Sequence, residues 1–261
     1  MSRWRFDPAL DQARVSAYAP GEFVGQEGFM TAAEIGALAV RAGVAPGVAV
    51  LDVCCGIGGP GRFLTGQLGC AYLGVDESAL AVALARERTN GLPCRFAVAQ
   101  VPPLPAGPFD VVLLLEAMLA FEDKEPLIRD VAAALRPGGR FAFTLEAGPP
   151  LTAAERIAMP AARTVWPASL DEMTACLERA GLVVTWQEDR TAAHAAMAQA
   201  LGGAFAAHAE DLAAQLGRRR LDYLLATHRR WVRWLHEGRV RKLALVAERA
   251  QPTGLAAAVN T

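Results

Sequence analysis

Short apolar runs and amphipathic stretches alternate along the first 150 residues, each pair separated by polar turn formers. The segment "TAAEIGALAVRAGV" repeats its apolar residues at helical spacing. Thr31 stands at its N-cap and Glu34 three positions on, the spacing of a capping box. Residues 48–53 form a short apolar run that predicts a strand, and "GPGRFLTGQL" continues as a helix. "AYLGVD" predicts a second strand ending at Asp76, "SALAVALARERTN" a helix capped by Ser78, and "CRFAVAQ" a third strand. "FDVVLLLEAM" reads as a fourth, fully apolar strand. "KEPLIRDVAAALRPGGRFAFTLE" gives a helix, a Pro-Gly-Gly turn and a fifth strand. Residues 1 to about 30 mix aromatics with turn formers and read as a lead-in segment.

Strands alternating with helices at this spacing predict an α/β fold, with βαβ units and a mostly parallel sheet covered on both faces. After Glu146 the rhythm breaks. "AGPPLTAAERIAMPAARTVWP" is a proline-marked insertion, "SLDEMTACLERAG" a helix and "LVVTWQEDR" a strand. Residues 191–237 are helical throughout, and "RVRKLALVAER" is a last strand. Two strands joined by a long helical excursion predict an antiparallel pair at the sheet edge with helical cap insertions above it. The expected layout is a single domain over 1–261. It divides into an N-terminal lid with helices (1–45), a ligand-binding core (46–148), cap insertions (149–168 and 191–237) and the final strand (238–249).

Composition narrows the partners. Hydrophobic residues make up 53% of the chain and charged residues 20%, ample for a buried core. With 26 basic and 27 acidic residues the net charge is -1, so no overall field draws nucleic acid or an anionic membrane. The five cysteines show neither CxxC spacing nor a histidine-paired metal pattern, which predicts buried free thiols in a reducing compartment and no metal. Asp7 and Asp11 fall where a signal peptide would need an apolar run, and no run approaches the length of a membrane span. A cytoplasmic protein is expected.

The candidate chemistry starts in "VAVLDVCCGIGGPGRF". Gly56, Gly58 and Gly59 follow the first strand, and ligands of open α/β sheets bind beyond the carboxyl ends of strands. Glycine there permits positive φ and close approach of backbone N–H groups. Asp76 ends the second strand, where a carboxylate can accept hydrogen bonds from both hydroxyls of a ribose; it could equally serve a helix N-terminus. A nicotinamide site shares these features, but its glycine fingerprint follows the apolar strand directly. Here Asp52 precedes the glycines; a carboxylate there repels a pyrophosphate and suits a ligand carrying an ammonium group.

In this order the motifs resemble the class I S-adenosylmethionine-dependent methyltransferases of small-molecule and natural-product type. "VLDVCCGIGG" matches the first motif of that family, with Cys54 where glycine is usual, and "GVDES" matches the acidic ribose turn. "QVPPLP", "FDVVLLLEAMLAF" and "LRPGGRFAFTLE" follow in the expected places, and "AGLVVTWQEDRT" and "VRKLALVAER" extend the match through the last strands. The resemblance implies a Rossmann-like sheet and S-adenosyl-L-methionine as cofactor. It implies that backbone at Gly56 and Gly58 borders the methionine moiety with Asp52 nearby, and that Asp76 binds the ribose. Glu77 would lie against adenine, Gln100 would accept from the adenine amino group, and the Val101 N–H would meet a ring nitrogen. Gln26 corresponds to a segment closing over the methionine carboxylate, and Glu116 orders that end of the site.

Related enzymes often carry a histidine shortly after the fourth strand; here Ala120 takes its place. Glu146, ending the fifth strand, is the candidate base or substrate anchor, with Glu116 beside it. Tyr18, Phe23, Met118, Met159 and Trp166 come from segments expected to overhang the sheet edge, as acceptor-pocket walls or as ordinary packing of the cap. His194 and His208 lie on the insert helices, with His194 the candidate substrate contact. In "GRRRLDYLLATHRRWVRWLHEGRVRK", Leu221, Leu224, Leu225, His228, Trp231 and Leu235 share one helix face and the arginines mostly occupy the other. The expected activity is in-line methyl transfer to a small-molecule acceptor by a monomer or homodimer. Cyclisation or other non-methyl chemistry, and a catalytically silent binding subunit, are the alternatives.

Overall fold

The computed structural model describes residues 7–159 and 164–251. Seven strands form one sheet: β1 (Ala49–Val53), β2 (Ala71–Asp76), β3 (Cys94–Val98), β4 (Phe109–Leu114), β5 (Leu135–Ala147), β6 (Leu182–Asp189) and β7 (Arg241–Arg249). Their order is β3-β2-β1-β4-β5-β7-β6. The first five run parallel, and β7 inserts antiparallel between β5 and the edge strand β6. The expected mostly parallel sheet with an antiparallel pair at its edge is therefore present. The Pro-Gly-Gly segment is not a separate turn: it lies within β5, where the register against β4 jumps between Phe109 and Val111.

The sheet is covered on both faces because its central strands are apolar on both. On one side Leu51, Val112, Leu114, Phe141 and Phe143 pack against Leu127, Ile128 and Val131 of α5 (Glu125–Ala134) and Met173 and Leu177 of α7 (Leu170–Arg179). On the other, Val50, Val111, Leu113 and Ala142 meet Ile35 and Leu38 of α2 (Ala32–Arg41), Leu64 of α3 (Gly59–Leu68) and Val82 of α4 (Ala79–Glu87). Each such aliphatic side chain, fully buried, contributes about 1.5–3 kcal/mol. The helices begin where the sequence marks them. Thr31 and Glu34 form a reciprocal capping box, as do Ser169 and Glu172, and Ser78 Oγ accepts from the Ala81 N–H.

A third layer lies over the carboxyl edge of the sheet. The excursion between β6 and β7 folds into α8 (Thr191–Ala207), α9 (Ala209–Leu216) and α10 (Arg218–His236). The lead-in segment contributes α1 (Pro8–Ala17), started by Asp7 as N-cap with proline at the first helical position. Leu10 and Ala13 of α1 bury against Leu201 and Phe205, Leu212, and Leu221 and Leu224 of the three cap helices. The apolar face expected on α10 is there, with Trp234 buried on it as well. A short helix, α6 (Ala153–Ala158), belongs to the proline-marked insertion. All five cysteines are free thiols, four of them buried. Among the described residues no helix is long and apolar enough to cross a membrane.

Candidate active site

The carboxyl ends of β1 and β2 meet at the glycine loop. Gly56 adopts φ +54°, and a Cβ there would meet nothing within 4 Å, so its Cα faces open space. Its N–H donates to Asp76 Oδ2 at 3.0 Å, while Asp76 Oδ1 accepts from the Ser78 N–H at 2.8 Å. One carboxylate thus ties the loop to the start of α4, and each oxygen retains capacity to accept another bond. Gly58 is glycine for a different reason. Its φ is +70° and a Cβ would lie 2.5 Å from the Phe96 ring, so its side is closed by packing. Asp52 is held inside the strand end: it is 2% exposed and its Oδ2 accepts a hydrogen bond from the Tyr72 hydroxyl. Burial pushes its carboxyl up to about 7, Tyr72 opposing and the Asp76 charge adding. Tyr72 thus engages one oxygen of the carboxylate that the sequence offered to a ligand ammonium.

Next to the loop, five segments bring charged side chains together out of water. Glu116, just beyond β4, holds a left-handed backbone (φ +57°) with its N–H donating to Thr144 Oγ1 at 2.6 Å. Its Oε2 accepts from the Phe29 N–H at 3.1 Å and from Lys242 Nζ at 2.8 Å. Lys242 stands opposite Glu146 in the antiparallel register of β5 and β7, and Nζ also reaches Glu146 Oε1 at 2.5 Å. His194 on α8 lies between two carboxylates, Nε2 3.4 Å from Glu34 and Nδ1 3.8 Å from Glu116. Phe29 covers the group, its ring centroid 5.5 Å from the Lys242 ammonium, with Trp231 at 6.0 Å. Gly28 permits that cover, since a Cβ there would come within 2.6 Å of Glu116 Cγ.

Burial alone would neutralise these groups; their mutual contacts decide otherwise. Burial favours neutral Lys242, but Glu116 and Glu146 outweigh it and raise its pKa. Burial likewise opposes ionised Glu116, and Lys242 with His194 overcomes it, leaving Glu116 below the usual carboxylate range. Glu146 goes the other way: burial and the like charge of Glu116 raise it despite Lys242. Four polar atoms in the group, Glu116 Oε1, Glu146 Oε2 and both ring nitrogens of His194, are buried without a hydrogen-bond partner.

Residues 50–139 match the family described as "Methyltransferase domain". Those residues are a class I S-adenosylmethionine-dependent methyltransferase domain. The chain is 38% identical over 109 residues to Methyltransferase GfsG of Streptomyces halstedii, covering 40% of this chain and 39% of that protein. It spans only about a fifth to two fifths of the length of the first curated relatives it matches. Among solved structures, the cyclopropane synthase MmaA2 from Mycobacterium tuberculosis has a TM-score of 0.80 at 15% identity, covering 94% of this chain and 95% of that one. Haemonchus contortus phosphoethanolamine N-methyltransferase 2 in complex with S-adenosyl-L-methionine has a TM-score of 0.78 at 19% identity, covering 95% of this chain and 59% of that one.

The cofactor of such a methyltransferase domain is S-adenosyl-L-methionine, and the residues present fit it. Gly56 leaves open space beside the strand end, Asp76 offers a carboxylate with spare acceptor capacity, and Glu116 Oε1 is an orphaned buried oxygen near the same edge. Glu77 and Gln100 are exposed and Val101 half-buried on the β2–β3 side, where a nucleoside base would lie. Gln26 braces its own segment: Oε1 accepts from the Val24 N–H, and Nε2 donates to the Glu22 and Met30 carbonyls.

The expected acceptor-pocket residues divide. His194 joins the charged group. Tyr18 packs on Phe23 with ring centroids 5.4 Å apart and donates to the Gly28 carbonyl, so both support the lid rather than stand free. Met118 is fully buried in the core under α5, and Met159 packs with Leu151, Val165 and Trp234. Neither lines an opening, because each finds an apolar cluster to fill. Trp166 lies in a separate cleft of about 460 Å³ with Lys124, Arg156 and Cys176. His208 bonds through Nδ1 to the Ala204 carbonyl at the end of α8. Lys242, Glu34, Phe29 and Trp231 were not among the expected site residues. The one signal for Lys242 was a lysine heading the continuous apolar run of "RKLALVAER".

Proposed function

We propose that the protein transfers the methyl group of S-adenosyl-L-methionine to a small-molecule acceptor by in-line displacement. The observation that carries this reading is the pairing of an open, left-handed Gly56 with Asp76 inside the matched methyltransferase domain. In it Asp76 holds the ribose, backbone at Gly56 with Glu116 borders the methionine portion, and Gln100, Val101 and Glu77 flank the base. The bound cofactor supplies an activated methyl group on a sulfonium, so little covalent work falls to the protein. Its residues position the acceptor and keep water out. The cap of α8–α10 and the lid strapped down by the Phe29–Glu116 bond do the second, and Glu146 receives or steers a proton of the acceptor. The lid, core and cap work as one domain in this reading, and the chain acts in the cytoplasm as a monomer or homodimer, without nucleic acid.

Cyclisation or another non-methyl use of the cofactor is the second reading, motivated by Ala120 at the position where related enzymes hold a histidine. Thermal unfolding with and without S-adenosyl-L-methionine, followed by incubation of the trideuteromethyl cofactor with candidate acceptors and mass spectrometry, tests the proposal. Stabilisation and a product bearing an intact trideuteromethyl group are expected. No stabilisation at millimolar cofactor overturns methyl transfer, and a product lacking that group favours the second reading.

A further inference from the structure

Lys242, one of only two lysines in the chain, is 2% exposed, and both of its ion-pair partners are buried carboxylates. It takes one oxygen from each: Glu116 Oε2 and Glu146 Oε1. The oxygens it leaves, Glu116 Oε1 and Glu146 Oε2, are buried without a hydrogen-bond partner. Buried polar atoms are ordinarily satisfied, so two orphaned carboxylate oxygens under an aromatic cover are a place prepared for donors that arrive with a ligand.

We infer that Lys242 is a positioning residue that turns Glu146 into the proton acceptor of the site, so that the methyl acceptor is a group bringing its own N–H or O–H. The inference rests on the methyl-transfer reading above. As the bond from that nitrogen or oxygen to the methyl carbon forms, the carbon–sulfur bond breaks with its electron pair left on sulfur. The N–H or O–H proton passes to Glu146 Oε2. Lys242 fixes which oxygen is presented by occupying the other, and its charge keeps the carboxylate form within reach against burial and the charge of Glu116. The remaining charged and titratable groups around the pair are Lys124 at the start of α5, His194 and Arg190 at the start of α8, Glu34 on α2 and Tyr18. Lys124 is engaged by the Phe121 and Trp166 carbonyls, and Arg190 by Glu188 and Glu34, which leaves Lys242 as the cation bonded to Glu146.

The test is a carboxyl titration of the full chain labelled with ¹³C at glutamate Cδ, the Glu146 resonance being assigned by its loss in Glu146→Gln. In Lys242→Met the Glu146 midpoint moves up by about one pH unit or more, equivalent to about tenfold less carboxylate at a given pH on the acid side. In Lys242→Arg it stays near the wild-type position. Glu116→Gln, which keeps Lys242, moves it down, and serves should the Met variant not fold. Once an acceptor is found, the acidic limb of its pH–rate profile shifts with the same variants. An unchanged Glu146 midpoint in Lys242→Met and Glu116→Gln overturns the inference, as does a wild-type pH profile in Glu146→Gln. Cofactor binding measured on the same samples separates the two claims. Failure to bind S-adenosyl-L-methionine defeats the methyl-transfer reading, whereas binding and turnover with an unmoved Glu146 defeat only this one.

Discussion

Asp52→Asn separates a buried structural acid from a ligand-facing one. Asp52 lies behind the glycine loop, 2% exposed, with the Tyr72 hydroxyl donating to Oδ2. Its carboxyl is raised from 3.8 to about 7, first by burial and then by the Asp76 charge. Below about pH 3 the acid is neutral in both folded and unfolded chains and contributes nothing to pH dependence. As pH rises from about 4 to about 7 the unfolded chain ionises while the folded one keeps its proton, so stability falls across that window and levels off above it. Roughly three pKa units at about 1.4 kcal/mol each make the cost about 4 kcal/mol near pH 8. Asparagine cannot ionise, and its amide oxygen can still accept from Tyr72. Urea unfolding from pH 4 to 8 is therefore expected to show the variant gaining on the wild type by about 4 kcal/mol across the range. Its affinity for S-adenosyl-L-methionine, by isothermal titration, should stay within about threefold, or ~0.7 kcal/mol. A stability difference that does not change with pH refutes the buried neutral acid, and a large loss of affinity restores Asp52 to the ligand.

Asp76→Ala strips the acceptor from two backbone N–H groups, at Gly56 and Ser78, each of which costs about 1–3 kcal/mol when orphaned. Urea unfolding should record that loss, and titration a fall in cofactor affinity of about tenfold or more, ~1.4 kcal/mol. Gly58→Ala drives a Cβ to 2.5 Å from Phe96 on a left-handed backbone and should cost about 1–3 kcal/mol by urea unfolding; weaker cofactor binding at unchanged stability would place Gly58 at the ligand instead. Thr144→Val removes the oxygen that accepts the Glu116 N–H at 2.6 Å and should lower stability by about 1–3 kcal/mol, with faster amide exchange at Glu116 and Phe29.

The core could be read from the chain because its signals are local. Capping pairs such as Thr31 with Glu34 mark helix starts within four residues, and "AYLGVD" carries its strand in a single apolar run. The bounds of the helix at Pro8–Ala17 were not legible because its apolar face is narrow, Leu10 and Ala13 being its buried residues, and the cap supplies the surface it packs on. The charged group escaped for a related reason. Gly28, Glu116, Glu146, His194 and Lys242 are distant in sequence, and only the pairing of β5 with β7 puts Glu146 opposite Lys242. Glu146 was legible as an acid at a strand end, but its partner was not. Met118 and Met159 show the converse: an apolar residue near the sheet edge has the same pattern whether it lines a pocket or fills a core. Asp52 was legible as an acid ahead of the glycines, while the direction of its side chain was set by Tyr72, twenty residues on.

The central claim is that the space beside Gly56 receives a nucleoside whose sugar Asp76 grips. The most direct measurement is a crystal structure of the chain grown with S-adenosylhomocysteine. The account predicts ribose hydroxyls within hydrogen-bonding distance of Asp76 and the amino-acid end of the ligand running past Gly56 toward Glu116. A structure with that space empty at saturating ligand, or with the nucleoside bound elsewhere and Asp76 still bonded only to Gly56 and Ser78, contradicts it.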